Sequence, residues 1–224
     1  MARVVFDIET LAFPLETFDD AQQKYLLKAA ENEEERKAEE QKLSLYALTA
    51  QIIAIGMLNP DTMSGKVFYQ SNVKEQFFSD DKKIEYVSGD EASLLKNFWE
   101  AVKWYDRFIT FNGRSFDCPF LTMRSAILSV PATRNLMPYR YESSKHCDLL
   151  EQMTFYGVTR RFNLDFYCKA FGIKSPKGDG LSGADLGPFF RDGKFRDIAR
   201  YCLGDIVATA ELFKRWEGFL KIED

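Results

Sequence analysis

Short apolar runs of strand length alternate with longer amphipathic stretches along this chain. The runs that predict buried strands lie at residues 2–8, 51–58, 66–70 and 107–111. Asn59-Pro60-Asp61 is typical of a turn between the second and third of them. We therefore expect the first three strands to be antiparallel neighbours. Residues 146–153 predict a further short strand or the start of a helix.

Helical spacing of apolar residues accounts for much of the remaining chain. In residues 90–103, one helix face carries Leu94, Leu95, Phe98, Trp99 and Val102. Further helices are predicted at residues 19–43, 116–128, 163–171 and 195–220. Residues 72–89 and a Gly-rich stretch at 175–183 predict irregular connections. This order of elements indicates one α/β domain over residues 1–224, a mixed sheet with helices on its faces.

Residues 19–43 differ from the rest of the chain in composition. They contain eight acids and five bases, with no Gly or Pro, which favours helix. One interpretation is a solvated helical insertion. The other is a lid or partner surface beside the acids that end the first strand, where its negative charge would repel duplex phosphates.

Composition excludes several classes of function. The net charge of −4 argues against a protein that adheres non-specifically to nucleic-acid backbone. No apolar run reaches the roughly 20 residues of a membrane span, and no secretory signal is expected at the N-terminus. The four cysteines form no CxxC pair and predict reduced thiols in a cytoplasmic protein rather than disulfides or a zinc site.

The stretch VVFDIETL places Asp7 and Glu9 two residues apart at the end of a buried strand. Side chains two apart share one face of a strand, so these carboxylates lie side by side and repel unless a cation separates them. Two more acids are candidates for the same site. Asp117 lies in the first turn of the helix that follows the turn Asn112-Gly113. It is either an acid of this site or a residue that only caps its helix. Asp205 shares a helix face with Tyr201. It is either an acid of this site or a residue that only forms a backbone hydrogen bond in the first turns of its helix.

Taken together, the four carboxylates indicate a metal site. Oxygen ligands suit hard cations such as Mg²⁺ or Mn²⁺. Two such ions roughly 4 Å apart can bind both the attacking and the leaving oxygen of a phosphodiester. The sequence therefore predicts a pair of divalent ions between acids from three parts of the chain.

Three segments, FDIET, NGRSFDCPFL and YCLGD, resemble the three exonuclease motifs of the DEDD superfamily. The chain looks most like a stand-alone 3′–5′ exonuclease related to the proofreading domain of family B DNA polymerases. This resemblance implies a ribonuclease H-like fold with a central mixed five-stranded sheet. Tyr201, four residues before Asp205, matches the tyrosine subtype, since Arg200 stands where the other branch has histidine. His146 is then a structural or exposed residue.

The resemblance also implies roles for single residues. Asp7, Glu9 and Asp205 would hold the ion that activates water, Asp7 and Asp117 would serve the second ion, and Tyr201 would hydrogen-bond the attacking water. The residues expected to contact the terminal nucleotide are Thr10, Leu11, Asn112 and Phe116. Leu11 and Phe116 have a second interpretation as core residues.

Several questions about substrate and partners stay open at this stage. The expected substrate is the 3′ end of single-stranded DNA, cleaved to nucleoside 5′-monophosphates, but RNA fits the motifs equally. A non-catalytic nucleic-acid-binding protein on the same fold would lack one of the acids, and none is missing. A separate polymerase or repair protein is a conceivable partner, and no membrane is expected. A set of basic residues has two interpretations, a channel that binds the strand or ordinary surface charge. These residues are Arg114, Arg124, Arg134, Arg140, Lys145, Arg160 and Arg161.

Overall fold

The computed structural model describes residues 1–175 and 183–221. Within these ranges, seven strands form one mixed sheet in the order β4-β5-β3-β2-β1-β6-β7. The strands are β1 Arg3–Ala12, β2 Ala50–Asn59, β3 Ser64–Gln70, β4 Gln76–Phe78, β5 Ile84–Gly89, β6 Arg107–Thr110 and β7 His146–Asp148. β1, β2 and β3 are antiparallel neighbours, while β6 runs parallel to β1 and β7 parallel to β6.

The α/β class, the mixed sheet and the antiparallel pairing of the first three strands are confirmed. The sheet has seven strands rather than the expected five, because residues 72–89 contribute β4 and β5 instead of an irregular connection. In β5, Ile84 and Tyr86 are buried and Val87 is only half-buried. The run of apolar residues is therefore too short to predict a strand from the sequence. Phe77 of β4 stacks on Tyr86 with ring centroids 4.8 Å apart, a contact that no local pattern reveals.

Eight α-helices lie within the described ranges. They are α1 Asp20–Leu26, α2 Glu33–Lys42, α3 Glu91–Val102, α4 Asp117–Ile127, α5 Leu149–Met153, α6 Leu164–Ala170, α7 Leu186–Arg191 and α8 Phe195–Phe219. Short 3₁₀ turns lie at Leu15–Thr17, Leu43–Leu45 and Gly183–Asp185. Of the Gly-rich stretch predicted at 175–183, residues 176–182 lie outside the described residues.

The helix predicted over 19–43 is two helices. α1 and α2 are separated by residues 27–32, and neither contains a buried residue. Asn32 begins α2 by accepting a hydrogen bond from the backbone N–H of Glu35 at 2.9 Å. Asn at this position caps a new helix better than it continues an old one, which explains the break.

The sheet separates two apolar cores. On one face, Val5 of β1 packs in the core formed with α8, and on the other face Val4, Phe6 and Ile8 pack in the core formed with α3 and α4. The alternation along β1 therefore places Asp7 and Glu9 on the α8 side. Among the helices of the described ranges, none has both the length and the apolar character needed to cross a membrane.

His146 and the cysteines have structural roles. The His146 ring is buried between the hydroxyl of Thr110, at 2.9 Å, and the carbonyl of Leu136, at 2.8 Å. Burial lowers the pKa of His146 to about 3, so the ring stays neutral, as expected of a structural residue. All four cysteines are buried free thiols, which confirms the prediction that they form no disulfide.

Candidate active site

Asp7 and Glu9 lie side by side in β1 and face α8. Across the strand pair, Asp7 is opposite Gly56 and Glu9 is opposite Ala54 of β2. A carboxylate oxygen of Asp7, one of Glu9 and the sulfur of Cys202 all lie within 4.8 Å of one another. The shared face predicted from their spacing is therefore present; Glu9 is only 7% exposed and Asp7 is half-buried.

Gly56 allows α8 to approach these carboxylates. A Cβ atom added at Gly56 would lie 3.0 Å from both the sulfur of Cys202 and a methyl group of Ile206. Because β2 has no side chain here, α8 packs directly against the sheet opposite Asp7. That packing brings the turn of α8 from Tyr201 to Asp205 over the acidic pair.

Asp117 joins the group from the other direction. It is the first residue of α4 and is 2% exposed. Its Oδ1 accepts a hydrogen bond from the backbone N–H of Ile8, the residue between the two strand acids, at 2.9 Å. Asp117 is therefore tied to β1 across the fold.

Burial and repulsion between the carboxylates raise the pKa values of Asp7, Glu9 and Asp117. The pKa of Asp7 is raised well above its usual value by burial and then by the charges of Asp117, Glu9 and Asp205. The pKa of Glu9 is raised by burial, Asp205 and Asp117. Burial raises the pKa of Asp117 to about 7. No cationic side chain is among the causes of these three shifts, and the backbone N–H groups of Ile8 and Asp117 lower the pKa of Asp117.

The donor set fits hard divalent cations. Oε1 of Glu9 is buried and has no hydrogen-bond partner among the described residues. Burying a polar atom without a partner is costly unless the site exists to bind something. The neighbouring thiol of Cys202, whose pKa is raised by burial and by the same acids, donates to the backbone carbonyl of Asp7 at 3.9 Å, and carboxylate oxygens are the ligands that hard cations prefer.

Tyr201 and Asp205 complete the arrangement from α8, and both are half-buried. The pKa of Tyr201 is raised above its usual value by burial and then by Asp205, Glu9 and Asp7. The Tyr201 side chain is therefore close enough to these carboxylates for their charges to favour its protonated form. The structure thus brings together all five side chains predicted as catalytic.

The predicted nucleotide contacts are less uniform. The Thr10 hydroxyl donates to the carbonyl of Ser44 at 2.8 Å and is thereby tied to the turn that follows α2. Leu11 and Phe116 are half-buried, and each packs at the margin of one core, in agreement with the core interpretation. Asn112 lies beyond the end of β6 with a positive φ of 64°, a conformation that non-glycine residues rarely adopt.

Asp148 is a residue of this site that the sequence reasoning missed. It ends β7, is 1% exposed, and accepts hydrogen bonds from the backbone N–H groups of Asn112 and Arg114, both at 2.9 Å. The carboxylate also accepts from Leu150 N at 3.1 Å. Asp148 therefore fixes the turn that holds Asn112 in its strained conformation just before Asp117. The available signal was an acid at the end of a predicted strand, the same pattern as at Asp7.

The basic stretch has several structural uses. Arg124 is buried in a two-bonded ion pair with Glu91, at 2.8 and 2.6 Å, so its assignment to a strand channel or to surface charge is wrong. Arg114 donates to the carbonyl of Pro138 at 2.7 Å, and Arg140 pairs with Glu151 at 2.8 Å. Exposed positions in this set include Lys145, Arg160 and Arg161.

Comparisons with known proteins agree with this geometry. A family model described as a predicted 3′–5′ exonuclease related to the exonuclease domain of PolB matches residues 49–221. The matched segment includes Asp117, Tyr201 and Asp205 and begins after Asp7 and Glu9. A comparison with curated proteins finds no match.

Among solved structures, the chain is similar to the family B DNA polymerase from the hyperthermophilic archaeon Pyrobaculum calidifontis. The TM-score is 0.63 at 18% identity, over 97% of this chain and 25% of the polymerase chain. This protein therefore spans about a quarter of that polymerase. The likeness confirms the predicted ribonuclease H-like α/β fold.

Proposed function

Because this chain belongs to the family of predicted 3′–5′ exonucleases related to the exonuclease domain of PolB, we propose that it removes nucleotides from the 3′ end of single-stranded DNA with the help of two divalent metal ions. The observation that carries the proposal is the buried carboxylate group with an unpartnered oxygen on Glu9. Such a group is costly for the fold and useful to a metal-dependent hydrolase.

The ligands for the ions are Asp7, Glu9, Asp117 and Asp205, and the ions of the proposal are Mg²⁺ or Mn²⁺. Bound ions of this kind lower the pKa of a coordinated water and stabilise the charge that develops on a phosphate. The raised pKa values of Asp7, Glu9 and Asp117 reflect the cost of holding these carboxylates together without a cation.

Tyr201 has a positioning role toward the attacking water. Since its pKa is raised, the hydroxyl cannot act as a general base near neutral pH and instead orients the water through a hydrogen bond. Thr10, Leu11, Asn112 and Phe116 are proposed to hold the terminal nucleotide. A cytoplasmic location and a separate polymerase or repair partner stay predictions from the sequence.

The test is degradation of 5′-labelled single-stranded DNA and RNA in Mg²⁺, Mn²⁺ or EDTA, with Asp205→Ala beside the wild type. We expect a ladder that shortens from the 3′ end, requires metal and is absent in the variant. The ratio of DNA to RNA degradation identifies the preferred polymer. Cleavage that persists in EDTA or in Asp205→Ala, or that starts at the 5′ end, would contradict the proposal.

The acidic insertion is proposed to keep duplex ends away from the site. Its last turn, Leu43–Leu45, is attached to β1 through Thr10, which places the end of the insertion beside the strand that carries the first two acids. Replacing residues 22–40 by a short Gly-Ser linker should raise activity on duplex ends relative to single strands, because fewer acidic side chains then repel the second strand.

A charge-only variant separates repulsion from bulk. Changing Glu33, Glu34 and Glu35 to Gln keeps α2 and removes the acids of its first turn. The same shift in the duplex-to-single-strand ratio is expected in this variant, together with a weaker salt dependence of that ratio. An unchanged ratio in both folded variants would eliminate the shielding hypothesis.

A further inference from the structure

Two phenylalanines form an exposed stacked pair at the start of α6. The rings of Phe162 and Phe166 have centroids 4.4 Å apart and planes within 14° of parallel. Phe166 is 55% exposed although this stacking covers part of its ring. An apolar ring that leaves more than half of its surface in water has room for a further flat partner. We name this pair the Phe162–Phe166 platform.

Positive charge borders the platform. The guanidinium carbon of Arg160 lies 5.0 Å from the centre of the Phe162 ring, and both Arg160 and Arg161 are exposed. Neither arginine forms an ion pair with any residue in the described ranges. The nearby acid Asp165 is paired with Lys169 at 2.9 Å, so it does not cancel this charge. Aromatic rings beside unpaired arginines are the combination that binds single-stranded nucleic acid.

The platform is continuous with the candidate active site. The Tyr167 ring lies 6.3 Å from that of Phe162 and 5.7 Å from that of Phe111, the residue directly before Asn112. The following residue, Cys168, is close enough to Asp205 for that carboxylate to raise the pKa of its thiol. α6 therefore links the exposed rings to both the motif that carries Asn112 and the acid on α8.

We propose that the Phe162–Phe166 platform stacks a base of a single strand upstream of its 3′-terminal nucleotide, with Arg160 and Arg161 beside the phosphates. This inference rests on the proposed nuclease function, because the strand that reaches the platform is the one whose end enters the carboxylate site. A stacked base must expose its face, so the platform favours unpaired over duplex substrate. Stacking depends on the ring face of a base and not on its identity, so little sequence preference follows.

The test measures binding of fluorescent oligo(dT) by anisotropy in the Asp205→Ala background, where the strand is not consumed. Phe166→Ala should weaken binding of a long oligonucleotide about five-fold or more, the loss expected for one base stack. Binding of thymidine 5′-monophosphate, which carries no upstream base to stack, should be unchanged. Phe166→Trp should retain tight binding, and Phe166→Leu should not, because leucine is apolar but has no ring.

Phe219→Ala is the matched control, since Phe219 is 76% exposed at the end of α8 and distant in sequence from this surface. Equal long-strand affinity in Phe166→Ala and its parent, or an equal loss in Phe219→Ala, would overturn the platform. Absence of oligonucleotide binding in the parent would overturn it too.

The function and the platform can fail separately. Hydrolysis of the p-nitrophenyl ester of thymidine 5′-monophosphate reports the carboxylate site alone, and Phe166→Ala should hydrolyse it at the wild-type rate. A protein that binds long oligo(dT) through Phe166 but hydrolyses neither DNA nor this ester would contradict the proposed nuclease and leave the platform in place. A slower ester reaction in Phe166→Ala would show that Phe166 acts on the active site itself, and the platform would be rejected.

Discussion

Asp7→Asn is expected to abolish hydrolysis and, in the absence of metal, to stabilise the protein. The substitution removes a proposed ion ligand, which is worth several kcal/mol in a metal-dependent reaction, so activity should fall about a thousand-fold or more. The same change removes one of the mutually repelling charges that raise the pKa values of this group. The metal-free variant should therefore unfold at a higher temperature than the metal-free wild type.

The pH dependence of stability follows from the same shifts. The pKa of Asp117 is raised to about 7, against about 4 in an unfolded chain, so between these values the folded state binds more protons than the unfolded state. Stability of the metal-free protein should therefore fall as pH rises from about 4 to about 7. Asp7→Asn should reduce this slope, because it removes a neighbouring carboxylate that titrates with Asp117.

Thermal unfolding in EDTA across this pH range, repeated with Mg²⁺, measures both effects. Mg²⁺ should stabilise the wild type at neutral pH and have little effect on Asp7→Asn. Asp80→Asn, an exposed acid in the β4–β5 turn, serves as the control and should resemble the wild type in every assay. A metal-free Asp7→Asn protein less stable than wild type, or one with normal activity, would count against the proposed ion site.

Asp148→Ala is expected to cause the second largest loss, although the residue is not a proposed ion ligand. Its carboxylate accepts from the backbone N–H groups of Asn112, Arg114 and Leu150, and a buried donor left without a partner, as at Leu150, costs about 1–3 kcal/mol. The turn that holds Asn112 at positive φ would relax. Misplacement of a positioned group by about 1 Å can cost a hundred-fold in rate, so we expect a loss of that order.

The conservative variant distinguishes positioning from general destabilisation. Asp148→Asn retains one acceptor oxygen and should recover part of the stability and of the activity. Because Asn112 is proposed to contact the terminal nucleotide, the KM for oligonucleotides should rise together with the fall in kcat, measured well below the unfolding temperature. Wild-type kinetics in a folded Asp148→Ala protein would remove Asp148 from the site.

The parts of the site that depend on short spacing along the chain could be predicted from the residues alone. Residues two apart share one face of a strand, so Asp7 and Glu9 had to be neighbours once β1 was recognised. Residues four apart share one face of a helix, so Tyr201 and Asp205 had to point the same way on α8. The antiparallel pairing of β2 with β3 followed similarly from apolar runs around a clear turn.

The contacts between groups far apart in the chain could not be predicted and are seen only in the folded protein. Asp117, a candidate site acid or helix cap from its position alone, bonds to the backbone N–H of Ile8, 109 residues away. Arg124 had two interpretations, a strand-binding channel or ordinary surface charge, and instead neutralises Glu91 in the interior. β4 and β5 owe their place in the sheet to pairing with each other and to the pairing of β5 with β3. Local periodicity specifies which face a residue occupies, whereas the identity of a buried polar group's partner depends on long-range packing, and that is why Asp148 emerged only from the fold.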